Sequence, residues 1–274
     1  MDLELPGKIR PTREFVHRLI ATERTCLTDW LLAMQELPGN PLEVAIGSFG
    51  QTTALACARI PAEVFNRVFG LTVEDRDLIP AIVAFCLEHG ATPVFDLDPY
   101  AIPPFWIKPN VYSTLVGLGL CQGAFHQILY AEPTLTVPAP AAHLSIEEVT
   151  ATSADEFVRV YEQVWGDGTA IRVLMNRPAF RCFLARVEGE AAALGILHVA
   201  NGVGSMANAL TIPAYRNRGC QTALLYHRIR TAAEAGCDLL VSQCMPGATS
   251  QQNQLRIGFQ IAGTKAWWIP ATRL

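Results

Sequence analysis

Between residues 144 and 269, apolar and polar positions fall into short runs with two different periods. Residues 144–149 read as a short strand. Over 154–165, Phe157, Val158, Val160, Tyr161 and Val164 recur at helical spacing, and Ser153 and Glu156 are placed to form a capping box at the helix start. Runs 180–187 and 191–200 flank Glu188-Gly189-Glu190, a hairpin signal, and 203–212 follows Asn201-Gly202, so three antiparallel strands are predicted. A helix over 219–235 stops at Gly236, followed by a buried strand at 237–244, a helix at 250–257 and a last strand at 259–269.

The first half closes in the same order. A helix over 75–89 ends at Gly90, then come a strand at 92–97, a helix at 110–117 and a strand at 124–130, with earlier strands at 43–49 and 52–60 joined at Gly50-Gln51. Setting Gly90 against Gly236, and Gly119-Leu120 against Gly258-Phe259, aligns helix, glycine and strand in both halves, at separations of 29 and 22 residues. This reads as a diverged internal repeat; the alternative is two segments that merely share a common element order. The stretch from Pro133 to Ala142, rich in Pro and Ala, suits an extended connector and puts a boundary near residue 140. The expected fold is mixed α+β in two lobes, 1–140 and 141–274, each a twisted, mostly antiparallel sheet flanked by helices.

Composition narrows the function. Of 274 residues, 50% are hydrophobic and 17% charged, and the net charge is -4. That is ample for packed cores and lacks the basic excess of a dedicated nucleic-acid binder. Residues 1–140 hold 9 basic and 15 acidic side chains, whereas 141–274 hold 12 and 10, so an anionic ligand favours the second half and a cationic amine the first. The eight cysteines form no CxxC pair and no Cys/His cluster, which predicts reduced, buried thiols and no metal site. Met1-Asp2-Leu3-Glu4 opens no signal pattern, and no window of about twenty residues is apolar enough to span a bilayer. A cytoplasmic protein without membrane contact is expected.

The segment from Ala209 to Leu225 carries the most chemistry: a strand, a turn containing glycine, then a helix. Such a turn aims unpaired backbone N–H groups at one point, and the helix dipole adds positive charge there, which suits a pyrophosphate. Arg216 and Arg218 add full charges, and Gly219 permits an approach that a β-carbon would block. The alternative is an ordinary turn with solvated arginines.

Arg216-Asn-Arg-Gly219-Cys-Gln221 resembles the acyl-CoA signature of the GNAT N-acetyltransferase family, Gln/Arg-x-x-Gly-x-Gly/Ala, matching at Arg216 and Gly219. Thr211-Ile-Pro213-Ala-Tyr215 resembles the exit of the family's fourth strand, and Ser250 through Gly258-Phe259 its later helix and Gly-Phe ending. The resemblance covers nearly all of the second half. It implies two tandem GNAT-like lobes, the first degenerate, with acetyl-CoA or another acyl-CoA as cosubstrate and no metal. The pantetheine arm would follow Leu210, Thr211 and Ile212, and the pyrophosphate would lie on Arg216, Asn217, Arg218, Gly219, Cys220, Gln221 and Thr222, with Asn253 of the later motif joining the binding set. A backbone N–H near Leu210 would polarise the thioester, and the amine of a small molecule would attack directly.

Departures from the pattern bear on catalysis. Gln221 replaces the usual small residue, and Gln254 stands four residues before Gly258, where many relatives carry a tyrosine acid; Ser250 or bound water would substitute. The strand 205–211 has no carboxylate, and Asn208 can orient a substrate or water without taking a proton. His198, His227 and Cys244 read more readily as structural. Phe65–Gly70 and Tyr100–Trp106 either wall an acceptor pocket or pack the lobe interface. Two other readings stay open: an aminoacyl-tRNA-dependent transferase on the same tandem fold, with nucleic acid otherwise unexpected, and a non-catalytic CoA-binding protein. A homodimer is compatible with either half.

Overall fold

The two halves of the chain share one sheet because each lends the other a strand. The computed structural model describes residues 11–98, 100–102, 107 and 110–273. The first half supplies α1 (Arg13–Gln35), β1 (Val44–Phe49), β2 (Thr52–Cys57), β3 (Arg67–Phe69), α2 (Ile79–Glu88), β4 (Val94–Leu97), α3 (Val111–Gly117) and β5 (Leu120–Ala131). The second supplies β6 (Leu144–Glu148), α4 (Ala154–Trp165), α5 (Thr169–Arg172), β7 (Phe180–Val187), β8 (Glu190–Ala200), β9 (Val203–Thr211), α6 (Cys220–Glu234), β10 (Leu239–Cys244), α7 (Thr249–Arg256) and β11 (Gln260–Pro270).

The strand order is β1-β2-β3-β4-β11-β5-β10-β9-β8-β7-β6. β5 enters the second half between β10 and β11, and β11 enters the first between β4 and β5. The pairing is parallel at β3/β4 and at β9/β10 and antiparallel elsewhere, so apart from β6 the sheet reads alike from both ends. The long antiparallel β5/β11 ladder is the centre of this order, with Lys265 opposite His126.

Helices cover both faces. Ala54, Ala56 and Val68 pack with α2 and α3 on one face of the first half, while Leu55, Cys57 and Phe69 turn to α1 on the other, as strand alternation requires. In the second half α6 covers the face of Leu197 and Met206, and α1 with α4 covers that of Leu194, Ile196 and Leu210. α1 was not anticipated from motifs, yet Val16, Leu19, Ile20, Leu27, Trp30, Leu31 and Met34 keep helical spacing and are all buried. Thr12 caps it by accepting from the Phe15 N–H at 3.2 Å. Trp30 donates from Nε1 to the Ala170 carbonyl at 2.6 Å and so ties the helix to the second half.

The second-half elements fall where the hydrophobic pattern puts them; one correction concerns a helix start there and two concern the first half. The capping box does not form: Ser153 Oγ accepts from the Thr150 N–H at 3.0 Å, and Glu156 pairs with Arg186. The helix expected from residue 75 begins as a 3-10 turn at Arg76–Leu78, because the buried Asp75 carboxylate instead binds the Gln51 N–H and Thr52 hydroxyl, both at 2.9 Å. The strand expected at 124–130 starts four residues earlier, since all of 120–131 is needed to serve two neighbours.

Candidate active site

β9 and β10 run parallel only over Val203–Ser205 and Leu239–Val241. Past Ser205 the edge of β9 that faces β10 has no partner strand. The Ile212 N–H donates to the Ala192 carbonyl at 2.9 Å, which fixes the alternation: residues 210 and 212 turn their backbone groups to β8, whereas Ala209 and Thr211 turn theirs to the open edge. The N–H groups available in the gap are therefore those of Ala209 and Thr211. Leu210 itself pairs with Leu194 and buries its side chain in the core.

The chain leaves β9 through a 3-10 turn at Pro213–Tyr215 and enters α6 at Cys220. Asn217 and Gly219 take positive φ, 64° and 84°, and bend the backbone sharply into the helix. At Gly219 a β-carbon would be strained by that φ and would meet Leu144 Cδ1 at 3.4 Å. The Ala223 N–H makes the first helical bond, to the Gly219 carbonyl at 3.0 Å, so the N–H groups of Cys220, Gln221 and Thr222 emerge from the helix end without helical acceptors. Arg216, Asn217, Arg218 and Gly219 are exposed around them. Gln221 folds back and donates to Thr211 Oγ1 at 2.9 Å, away from the helix axis, and His143 Nε2 lies 3.2 Å from the Arg218 carbonyl. Leu210 to Thr222 thus form one continuous rim, from open strand edge to helix end.

The other proposed residues scatter around that rim. Asn208 is half-buried, and its carbonyl accepts from Arg228. Ser250 is exposed at the start of α7 and reaches the Cys244 thiol, to which Gln254 Nε2 also donates at 3.0 Å. Burial pushes that thiol up, so it stays protonated. Gln254 is buried, and among the described residues its Oε1 finds no partner. Asn253 is turned along its own helix, accepting from Arg256 at 3.0 Å.

His198 is wholly buried, tilted against the Phe180 ring at 4.6 Å and bonded through Nε2 to Asp29 of α1 at 2.8 Å. Burial holds it below the usual imidazole range, only partly offset by Asp29. It is a strut between halves. His227 packs edge-on against Phe183 at 4.8 Å, and its pKa is lowered, first by burial. Phe65, Asn66, Arg67, Val68 and Phe69 are packed as core residues: Asn66 Oδ1 accepts from the Cys57 N–H at 2.8 Å, and Phe65 meets Trp30 edge-on at 5.3 Å. Of the segment 100–106, residues 103–106 lie outside the described residues.

One cluster escaped the sequence reading because its members come from five separate elements. Glu23 of α1 binds Arg67, Lys265 and Gln243, and Lys265 also reaches Asp96 at 2.6 Å. Burial works to raise Glu23, but Lys265 and Arg67 hold it below the usual range. Asp96 is raised by burial, against the pull of Lys265. Without α1 in view, only the unusual lysine in an apolar final strand could have signalled it.

Residues 147–259 match the sequence model of the acetyltransferase (GNAT) family. Residues 147–259 are thus similar to a GNAT acetyltransferase domain. The whole chain also superimposes on GNAT structures. A GCN5-related N-acetyltransferase from Kribbella flavida is 18% identical, with 88% of this chain and 95% of that one covered at a TM-score of 0.59. A tandem GNAT protein from the clavulanic acid biosynthesis pathway is 16% identical over 91% and 96% (TM-score 0.58). A GCN5-related N-acetyltransferase from Sphaerobacter thermophilus is 12% identical over 94% and 93% (TM-score 0.58). At these identities the likeness is one of fold. No curated protein matches the chain in sequence. GNAT enzymes use acyl-CoA, and the open strand edge with its helix end lies within the matched residues. Among the described residues no group of His, Cys, Asp or Glu could hold a metal, and no helix is long and apolar enough to cross a membrane.

Proposed function

We propose that the chain transfers an acetyl group from acetyl-CoA to the amine of a small molecule, by direct attack with both substrates bound. The observation that carries this reading is the end of α6: three N–H groups without helical acceptors, the dipole of a 15-residue helix and two exposed arginines, next to an open strand edge. A diphosphate fits there, and Gly219 leaves its approach clear. The thioester supplies an activated acyl carbon: the amine nitrogen bonds to it, the C–S bond breaks, and the amine's proton ends on the CoA sulfur. The chain's own part is to hold the diphosphate at Arg216–Thr222, to lay the pantetheine arm along Ala209 and Thr211, and to bring the amine into line. Gln254 has no proton to give, so water at the open edge returns it.

The first lobe is read as a degenerate copy that supports the second. Its counterpart of the α6 turn, ahead of α2, carries Glu74, Asp75 and Asp77. Three carboxylates at a helix start repel a diphosphate where α6 would attract one. The excess of acid in this half suits a cationic acceptor arriving from that side.

Titration calorimetry with acetyl-CoA, CoA and a longer acyl-CoA tests the cosubstrate, and CoA release with a panel of amines tests the transfer. Saturable binding at one site per chain, with amine-dependent release, is expected. Absence of binding by folded protein would overturn the reading.

A further inference from the structure

Arg228 of α6 is 1% exposed and carries a charge that, among the described residues, no carboxylate offsets. Three carbonyls hold it. Nε donates to Leu224 O at 3.1 Å, and Nη1 donates to both Ile196 O and Asn208 O at 3.2 Å. Ile196 and Asn208 are register partners on β8 and β9, and the ladder slips immediately beyond them, before His198 meets Ser205. The next pair, Gly195 and Ala209, makes room: a β-carbon on Gly195 would stand 3.1 Å from Nε and 3.2 Å from Cζ. A buried cation without a counter-ion is costly, and apolar side chains would fill the same space more cheaply. Its place explains it. A trans peptide points its carbonyl and N–H in opposite directions. With the Asn208 carbonyl drawn to Arg228 between β8 and β9, the other end of the same peptide, the Ala209 N–H, faces the open edge of β9.

We infer that Arg228 is a positioning residue for acyl transfer: by gripping the Asn208 carbonyl it polarises the Asn208–Ala209 peptide and fixes the Ala209 N–H as the donor to the thioester oxygen. This rests on the acyl-CoA reading above. Hydrogen bonds in series strengthen one another, so a cation on the carbonyl makes the N–H a better donor. That gain matters most where negative charge develops on the oxygen, and less in the ground state. The charge persists across the physiological range, because burial lowers the guanidinium only to about 10.

The test compares Arg228→Met, Arg228→Gln and Arg228→Lys with the unaltered chain. Met and Gln should lower kcat by about tenfold, less than the loss of a direct oxyanion donor. KM and the dissociation constant for acetyl-CoA should stay within about twofold, since ground-state binding does not use the effect. Lys, which keeps the charge, should recover part of kcat. Independently of substrate, the Ala209 amide proton should move upfield in Met and Gln and less in Lys. A neutral variant that folds with full kcat, or an unmoved Ala209 amide, would overturn the inference; if Met fails to fold, Gln carries the same comparison. Failure of the unaltered chain to bind acetyl-CoA would instead sink the functional reading, with the amide shift still reporting on Arg228.

Discussion

Lys265 and Asp96 meet at 2.6 Å, the one from the last strand of the chain and the other from the first lobe. Their side chains are 0% and 1% exposed, and Glu23 and Arg67 complete the group. The pair joins β11 to β4 at the point where the second half enters the sheet of the first. Removing one partner leaves two buried carboxylates facing a single arginine. Lys265→Met should therefore destabilise the fold by about 3–5 kcal/mol. Lys265→Met combined with Asp96→Asn should recover part of that loss. Urea unfolding of the three proteins checks both statements, and equal stability of the single and double variants would show that the charges are not coupled.

The end of α6 gives a binding prediction. Arg216 is exposed, so its contact with a diphosphate is partly screened, and Arg216→Ala should weaken acetyl-CoA binding by about fivefold, an effect that shrinks in high salt. Gly219→Val should do more. At φ 84° a β-branched residue is strained, and its added carbons crowd Leu144 at the mouth of the turn. Calorimetry at low and high salt separates the two causes, because only the arginine effect depends on ionic strength.

The strands, turns and helices of residues 144–269 were legible in the sequence, since they are local patterns. Gly219 marks its own backbone bend. What was not legible depends on contacts between distant segments. The exchange of β5 and β11 needs the whole sheet order, which no local period encodes. Arg67 lay in a segment read as either a pocket wall or interface packing, and only the fold shows its partners, Glu23 and Asp96. His198 read as structural on its strand, but its partner was hidden because Asp29 lies 169 positions away. Ser153 was misread since a capping side chain can equally bind backward, here to Thr150.

His126 sits beside Lys265 on the neighbouring strand and stacks on Trp267 at 3.7 Å. Burial, then the charges of Arg67 and Lys265, lower it to about 4. An unfolded chain takes up this proton near the ordinary value of about 6.5, so between about 6.5 and 4 the unfolded state binds more protons than the folded one. Stability contributed at neutral pH is accordingly lost as pH falls through that window. His126→Phe keeps the stack and removes the proton site. Its melting temperature should fall less steeply between pH 6.5 and 4 than that of the unaltered chain, and parallel profiles would count against the assignment.

Seven of the eight cysteines are buried, and Cys121 alone is half-exposed. Burial raises the thiols of Cys57, Cys86, Cys182, Cys220, Cys237 and Cys244, with Cys86 and Cys182 reaching about 12. The thiolate is the reactive form, so these six combine low access with a small thiolate fraction. Cys244 is the instructive one. It lies beside Ser250 and Gln254, near the gap, and donors around its sulfur act to lower it, yet burial prevails. A thiol in that state does not take up an acyl group at neutral pH, which is why transfer is read as direct. A disulfide reagent should therefore modify about one thiol in the folded protein and eight after unfolding, with Cys121 identified by peptide mapping. Cys244→Ser should keep kcat within about twofold, as no covalent step passes through the sulfur. Rapid labelling of Cys244, or loss of transfer in the serine variant together with an acylated Cys244 in the unaltered chain, would replace direct attack with a two-step route.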